Sequence, residues 1–388
     1  MSWPLVKLGE VAPSKALKRP IVRDEDNVWQ LNLDMVESGS GKVLNKIKAP
    51  LSEAGSSTHW FDSRHVLYSK LRPYLNKVVL PDEQGLATTE LVPMLPDPEM
   101  LDRRYLVHYL RSKQFVSWIS DQVAGAKMPR VSMKVFWEHE IPLPPLDEQK
   151  RIAAILDKAD AIRQKRKQAI ELADEFLRSM FLDMFGDPVT NPKGWDIKKL
   201  ADVTHKITDG EHGTVKRLDS GKLYLMARNI TKDGKLDLSE VSYISHDDHD
   251  RIYKRCAAEE NDLLLVCVGA TIGKAALVPK MEEFSLARSV ALLKPDLNLI
   301  EPEFLLQLVK TKWLQNEFIN SGNSSAQAGL YLGKIKETEV PIPPIEMQRK
   351  FKEIHAKTTE CMYLEDNFQC NASNLFESLS QKAFSGQL

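Results

Sequence analysis

Two stretches of this chain carry the same pattern of apolar and polar positions. In residues 146–185, apolar side chains follow a three-then-four rhythm at Ile152, Ile155, Ala159, Ile162, Ala169, Ala173, Phe176, Met180 and Met184. Towards the end of the chain Phe351, Ile354, Thr358, Cys361, Phe368, Ala372, Leu375, Leu379 and Ala383 take the same places. This spacing is the narrow seam of a coiled coil rather than the broad face of a globular helix. Each stretch is entered through a proline pair, Pro144–Pro145 and Pro343–Pro344, where a fixed φ and a missing N–H cost nothing. Asp147 and Glu148 add negative charge at the positive end of the first helix, and Gly186 and Pro188 stop it. A helix of about 40 residues spans roughly 60 Å. One rod of that length cannot bury its stripe alone, and the second copy supplies a partner, so the pattern predicts two helices packed on each other as an intramolecular pair. Arg166 and Glu365 break the two seams at the same repeat position near mid-helix. Opposite charges meeting there would set the register at some cost in stability; ordinary solvated flanking charges are the alternative.

The repeat extends beyond the rods. WPLVKLGEV from Trp3 aligns with WDIKKLADV from Trp195, VLYSKLRPYLNKVVL from Val66 with LLLVCVGATIGKAAL from Leu263, and RYLVHYLRSKQFVSWI from Arg104 with EFLLQLVKTKWLQNEF from Glu303. The runs 66–68, 77–80, 263–268 and 275–278 have strand composition, and 105–119 and 304–319 have helical periodicity. The Gly-, Pro- and Asn-rich stretch 186–194 is the clearest boundary. The predicted architecture is α+β with a pseudo-two-fold repeat: a mixed α/β globular head over 1–145, a rod over 146–186, a second head over 187–339 and a second rod over 340–388.

Composition narrows the function. The 388 residues carry a formal charge of −1, so no bulk positive field announces a nucleic-acid partner, and any DNA contact must come from local clusters or partner subunits. Four cysteines without a CxxC pair suit reduced thiols in a cytosol. The sequence has no signal peptide and no apolar run of membrane-spanning length, so the expectation is a soluble cytoplasmic protein.

The order IPLPPLDEQ, long helix, FGD, GW, GATIGK, IPPIEMQ, long helix resembles the specificity subunit of type I restriction–modification systems over essentially the whole chain. The resemblance implies two target-recognition domains, each reading one half of a split DNA site, and two helices that form an antiparallel intramolecular coiled coil, space the domains and dock methyltransferase subunits. It also implies two methyltransferase (modification) and two restriction/translocase subunits as partners. S-adenosylmethionine, ATP and Mg would then sit on those subunits, with no cofactor on this chain. The second rod departs from the first, reading IEMQ for LDEQ, with Thr358 and Cys361 in its seam.

Candidate DNA contacts gather in short polar stretches. SKLRPYLNK places Lys70, Arg72, Tyr74, Asn76 and Lys77 within one turn. Arginine pairs with phosphate or guanine, asparagine with adenine, and tyrosine stacks or contacts phosphate. The matching turn in the second half is GATIGK, with Gly269, Thr271, Gly273 and Lys274. It lacks the four-residue spacing and the Ser or Thr after lysine of a nucleotide-binding P-loop, but a Gly-rich turn can still bring backbone close to a DNA phosphate, with a plain strand–turn–strand as the alternative. Two loops before the rods contribute Lys127, Arg130, Ser132 and Lys134, and Ser324, Ser325 and Gln327. By the resemblance both face DNA. His212, Arg228 and Asn229 complete the set; a solvated loop explains each as well. His246–Asp250 (HDDHD) reads as a solvated loop rather than a metal site, and no metal site is expected.

The tetrapeptides of amino-methyltransferases and the G-x-S-x-G elbow are absent from the sequence. The reading is a non-catalytic DNA-sequence-recognition subunit. Its rivals are a nuclease or methyltransferase with unrecognised motifs, which turnover by the chain alone would reveal, and a coiled-coil scaffold without DNA specificity.

Overall fold

The computed structural model describes residues 3–124, 128–323 and 329–388, excepting the side chains of 124, 322–323 and 361–374. The chain forms two compact units, Met1–Lys167 with Asp366–Leu388, and Gln168–Glu365. Two 40-residue helices, Leu146–Phe185 and Ile345–Phe384, follow the proline pairs as their spacing predicts. Each unit therefore holds one head, the start of the rod that follows it and the end of the other rod.

The first unit opens with the strand Leu5–Lys7, paired antiparallel with Glu140–Pro142 immediately before the rod. A four-stranded sheet runs in the order Ile47–Pro50, Asn27–Leu31, Gly85–Thr88, Thr58–Phe61, and a three-stranded sheet in the order Val78–Val79, Val66–Ser69, Leu91–Met94. Helices Arg103–Arg111 and Lys113–Ser120 replace the single helix predicted for 105–119. The break falls at Ser112, whose backbone is extended and whose side chain accepts the Phe115 N–H, a local bond that competes with continuing the helix. Tyr105, Leu106, Leu110 and Phe115 turn inward, and Ile152, Ala153 and Leu156 of the first rod join the same core as Ala383 and Phe384 of the second. Residues from the start of one rod thus meet residues from the end of the other, the antiparallel order the resemblance implies. Tyr109 stands edge-on to Phe384 at 5.1 Å, an arrangement that adds to plain area burial.

The second unit repeats this plan. Asp196–Lys199 pairs with Glu339–Ile342 before the second rod. The sheets run Thr204–Asp209, Val290–Pro295, Leu263–Val266, Ala275–Leu277 and Ser242–Ile244, Lys222–Leu225, Phe284–Leu286. Helices Pro302–Val309 and Lys312–Asn323 again split at the position of Ser112, here with Thr311 Oγ1 accepting the Leu314 N–H. Phe181 and Phe185, from the end of the first rod, pack against Phe351 near the start of the second and against Phe304 of the head, with ring centroids 4.8–5.7 Å apart.

That packing shifts the buried stripe. In the last turns of the first rod Leu177, Phe181 and Phe185 are buried, one residue on from the predicted Phe176, Met180 and Met184, while Ile162, Phe176 and Leu375 remain exposed. The heads bury the rod ends, so the inward face there answers to a broad head surface and not to a helix–helix seam alone. Arg166 lies half-buried on the first rod, whereas the Glu365 side chain lies outside the described residues. The HDDHD stretch is no loop: His246–Arg255 is a helix, its first turn capped by Ser245, which accepts the Asp248 N–H. His249 is buried with Nδ1 2.9 Å from Ser285 Oγ. No group of three metal-ligating side chains forms among the described residues.

Phe181 is fully buried among three other rings, so Phe181→Ala should lower the unfolding free energy by about 3–5 kcal/mol in urea titrations. Burial also holds two histidines neutral: the imidazoles of His139, stacked on Trp118, and His355 are both pushed down to about 4, the latter further by the Lys310 charge. The unfolded chain takes up these protons first, so their contribution to stability is full above about pH 6.5 and is lost as pH falls towards 4. Unfolding titrations at pH 7 and pH 4.5 should show that loss, with a shallower pH slope in the His139→Phe, His355→Leu double variant.

Candidate nucleic-acid interface

In each unit one hairpin carries the candidate turn, and that turn is joined by backbone hydrogen bonds to the loop preceding the rod. In the first unit the hairpin is Val66–Ser69 with Val78–Val79. Arg72 N–H donates to Pro129 O (2.8 Å), Val131 N–H donates to Lys70 O (3.0 Å), and Leu71 bridges to Arg130. Two sequence-distant polar stretches thus become one platform. Arg72 and Asn76 both take left-handed backbone conformations, φ 49°, on either side of the short 3-10 turn Pro73–Leu75. These kinks sort the side chains. Arg72 and Tyr74 stand exposed and Lys70 is half-buried. Asn76 and Lys77 turn inward: Asn76 Nδ2 donates to Arg111 O (3.1 Å) and Lys77 Nζ donates to Leu33 O (2.6 Å). Arg130 is exposed but paired with Glu90 at 2.9 Å, while Ser132 and Lys134 are exposed at the start of the helix Met133–Glu138. Lys127 lies outside the described residues.

The structure adds cations that periodicity did not single out. Lys15, Lys18, Arg19 and Arg23 lie in an irregular segment that Leu17 bridges to Trp60 on the strand Thr58–Phe61. The neighbouring His59 is pushed down by burial and then by the positive charge of Lys70. The signal available in the sequence was the density of Lys and Arg between Pro13 and Arg23.

In the second unit the hairpin Leu263–Val266 with Ala275–Leu277 closes through the GATIGK turn. Gly273 N–H donates to Val266 O and Lys274 N–H to Thr271 O. Leu330 N–H donates to Cys267 O (2.7 Å) and Val268 bridges to Gly329, repeating the junction of turn and pre-rod loop. Ser324, Ser325 and Gln327 lie outside the described residues. Gly269 is exposed at the turn, Thr271 and Lys274 are half-buried, and Gly273 is buried.

Three further candidates fall elsewhere in this head. His212 is exposed, with Nε2 2.7 Å from Asp209. Its loop is charge-balanced by Arg251 and Arg255, and the Gly213 N–H and then Arg251 hold the Glu211 carboxyl below its ordinary range. Arg228 is exposed and donates to Ser242 Oγ (2.9 Å). Asn229 is a correction: it is 2% exposed, its Nδ2 donates to Asp237 O and Glu240 O, and its Oδ1 accepts the Met226 N–H. An amide whose polar atoms are committed to folding its own loop is not presented to a ligand.

Two copies of one head, each offering a differently equipped polar platform, define a double-headed recognition protein. The family model for the type I restriction modification DNA specificity domain matches the chain twice, over residues 2–172 and 192–366. The chain therefore belongs to the type I restriction–modification specificity subunits, non-catalytic DNA-recognition proteins that act with methyltransferase partners. It is 24% identical over 342 residues to the EcoBI specificity subunit of Escherichia coli, covering 81% of this chain and 71% of that one. With the MjaVIII specificity subunit of Methanocaldococcus jannaschii it shares 23% identity over 287 residues, 70% of this chain and 67% of the other. The fold matches that of the solved S subunit of the type I restriction–modification system from M. genitalium with a TM-score of 0.60 and 16% identity, covering 98% of this chain and 96% of that chain. None of the described helices is long and apolar enough to cross a membrane.

The two turn glycines separate backbone strain from crowding. Both have φ near +90°, but a Cβ on Gly269 meets nothing within 4 Å, whereas one on Gly273 falls 2.6 Å from Gln315 Oε1. Gln315 is held there by its bond to Gly273 O. Gly269→Ala should cost about 1–2 kcal/mol from the left-handed backbone alone, and Gly273→Ala measurably more, in parallel urea titrations.

Proposed function

We propose that each head enters a major groove and reads one half of a bipartite, asymmetric DNA site, with the rods setting a gap that puts both half-sites on one face of the duplex. One observation carries this reading: the platforms occupy matching places but differ in chemistry. The first presents Lys70, Arg72, Tyr74, Ser132 and Lys134, and the second a Gly-rich turn with Thr271 and Lys274. Different side chains on one frame read different bases, whereas identical heads would read a palindrome. Arg72 and Tyr74, exposed and braced by the pre-rod loop, are the foremost contacts of the first head. Lys15, Lys18 and Arg19 extend its cationic surface towards phosphates. At the second head, Gly269 lets backbone approach a phosphate beside Lys274, and Arg228 and His212 add contacts from other parts of the head.

In this reading two methyltransferase subunits and two restriction/translocase subunits complete the assembly in the cytoplasm. They carry S-adenosylmethionine, ATP and Mg, and this chain supplies the address. With a formal charge of −1, the isolated chain neutralises few phosphates, so its affinity for DNA should fall only gently with salt.

The test is long-read mapping of methylated adenines in cells with and without this gene. Loss of one split, asymmetric motif on deletion is the expected result, and an unchanged methylome counts against the reading. In cells carrying the Arg72→Ala, Tyr74→Ala variant, methylation should relax at bases of one half-site only, each lost base contact being worth about 1–3 kcal/mol of discrimination. Equal relaxation of both halves would contradict the assignment of that platform to one half-site.

A further inference from the structure

Both rods leave their heads through the same joint, and in each joint one buried amide bonds three backbone groups. Gln149 and Gln348 are fully buried. Gln149 Oε1 accepts the Asp102 N–H (2.8 Å), and its Nε2 donates to Met100 O (2.9 Å) and Pro144 O (2.8 Å). Gln348 Oε1 accepts the Glu301 N–H (2.9 Å), and its Nε2 donates to Leu299 O (3.1 Å) and Pro343 O (2.8 Å). Asp102 and Glu301 are the N-cap residues of the first long helix of each head, and Pro144 and Pro343 are the first prolines of each rod entrance. A single side chain on the rod therefore grips a head helix, the loop before it and the turn into the rod.

The charged surroundings of the two joints differ while the amide geometry does not. Beside the first, Arg104 and His108 meet Asp157; beside the second, Arg349 and Lys352 meet Glu301. Apolar packing is non-directional and lets a joint slide, but three short bonds from one planar amide to groups on both sides admit a single angle. Rotating the rod would leave a buried donor or acceptor without a partner.

We infer that Gln149 and Gln348 are positioning residues for DNA recognition: they hold the direction in which each rod leaves its head, and through it the one gap between half-sites that the protein accepts. This rests on the bipartite reading above. Neither glutamine touches DNA; each acts through the head it orients.

The experiment maps methylated adenines by long-read sequencing in cells carrying the complete system with the wild-type chain, Gln348→Leu or Gln348→Glu. Wild type should show one gap length. In Gln348→Leu the half-site bases should persist, while the share of methylated sites whose gap differs by one base pair rises roughly tenfold, equivalent to about 1.4 kcal/mol of lost discrimination. Gln348→Glu keeps the acceptor for the Glu301 N–H but gives the carboxylate no hydrogen to donate to Leu299 O and Pro343 O, so it should broaden the gap as well. It also serves if the leucine variant fails to accumulate. Phe318→Leu, a core change in the same unit on the helix Lys312–Asn323, which supplies none of the Gln348 partners, should lower methylation without altering the gap. A single unchanged gap in any glutamine variant that still methylates would overturn the proposal, as would loss of the protein in both. A wild-type methylome without a split motif would instead overturn the bipartite reading on which it stands.

Discussion

A buried amide must satisfy its hydrogen bonds or cost the fold the desolvation of each one left unmade. In Gln149 and Gln348 that requirement is met only where the rod start, the head helix and the preceding loop lie in one arrangement. The neighbouring two-stranded sheets reinforce the same geometry. Leu5–Lys7 and Asp196–Lys199, at the start of each head, pair with the strands that run directly into the rods. The first and last segments of each head are thus fastened together at the point where the rod departs.

The far end of each rod has a different constraint. It must bury bulky side chains, and it does so in the unit whose own rod begins there: Phe181 and Phe185 beside Phe351 and Phe304, and Phe384 beside Tyr105 and Tyr109. Neither head is complete without helix contributed from the other end of the repeat. This division explains why the compact units do not follow chain order, and why rod and head share one core in each unit.

The residues proposed to read DNA sit on the least regular part of this frame. The hairpin turns are locked by backbone hydrogen bonds to the pre-rod loops, so main chain fixes the platform and leaves exposed side chains free to vary. Under the proposed function, base contacts could change on such a platform without disturbing the joint or the rods. The two turns differ in their side chains, with Arg72 and Tyr74 on one and Gly269 and Thr271 on the other.

Much of the frame was legible in the residues. The duplicated proline pairs, the three-then-four rhythm and the glycine-rich boundary determined two heads and two long helices, because helix starts, stops and periodicity are local properties. That the two rods pair followed from one chain having to cover both stripes, and their antiparallel order was implied by the family resemblance. What the sequence could not decide was which atoms are spent on folding. Asn76, Lys77 and Asn229 have the composition of DNA-reading residues, yet left-handed backbone or burial turns their side-chain nitrogens towards backbone carbonyls. The one-residue shift of the buried face at Leu177, Phe181 and Phe185 arises likewise from a head surface that no helical periodicity encodes. The HDDHD stretch needed its Ser245 cap to be seen as a helix, and Gln149 looked like part of an entrance motif until three backbone partners converged on it. Local pattern determined the elements; only tertiary contact decided which polar groups are consumed by the fold and which remain to meet a ligand.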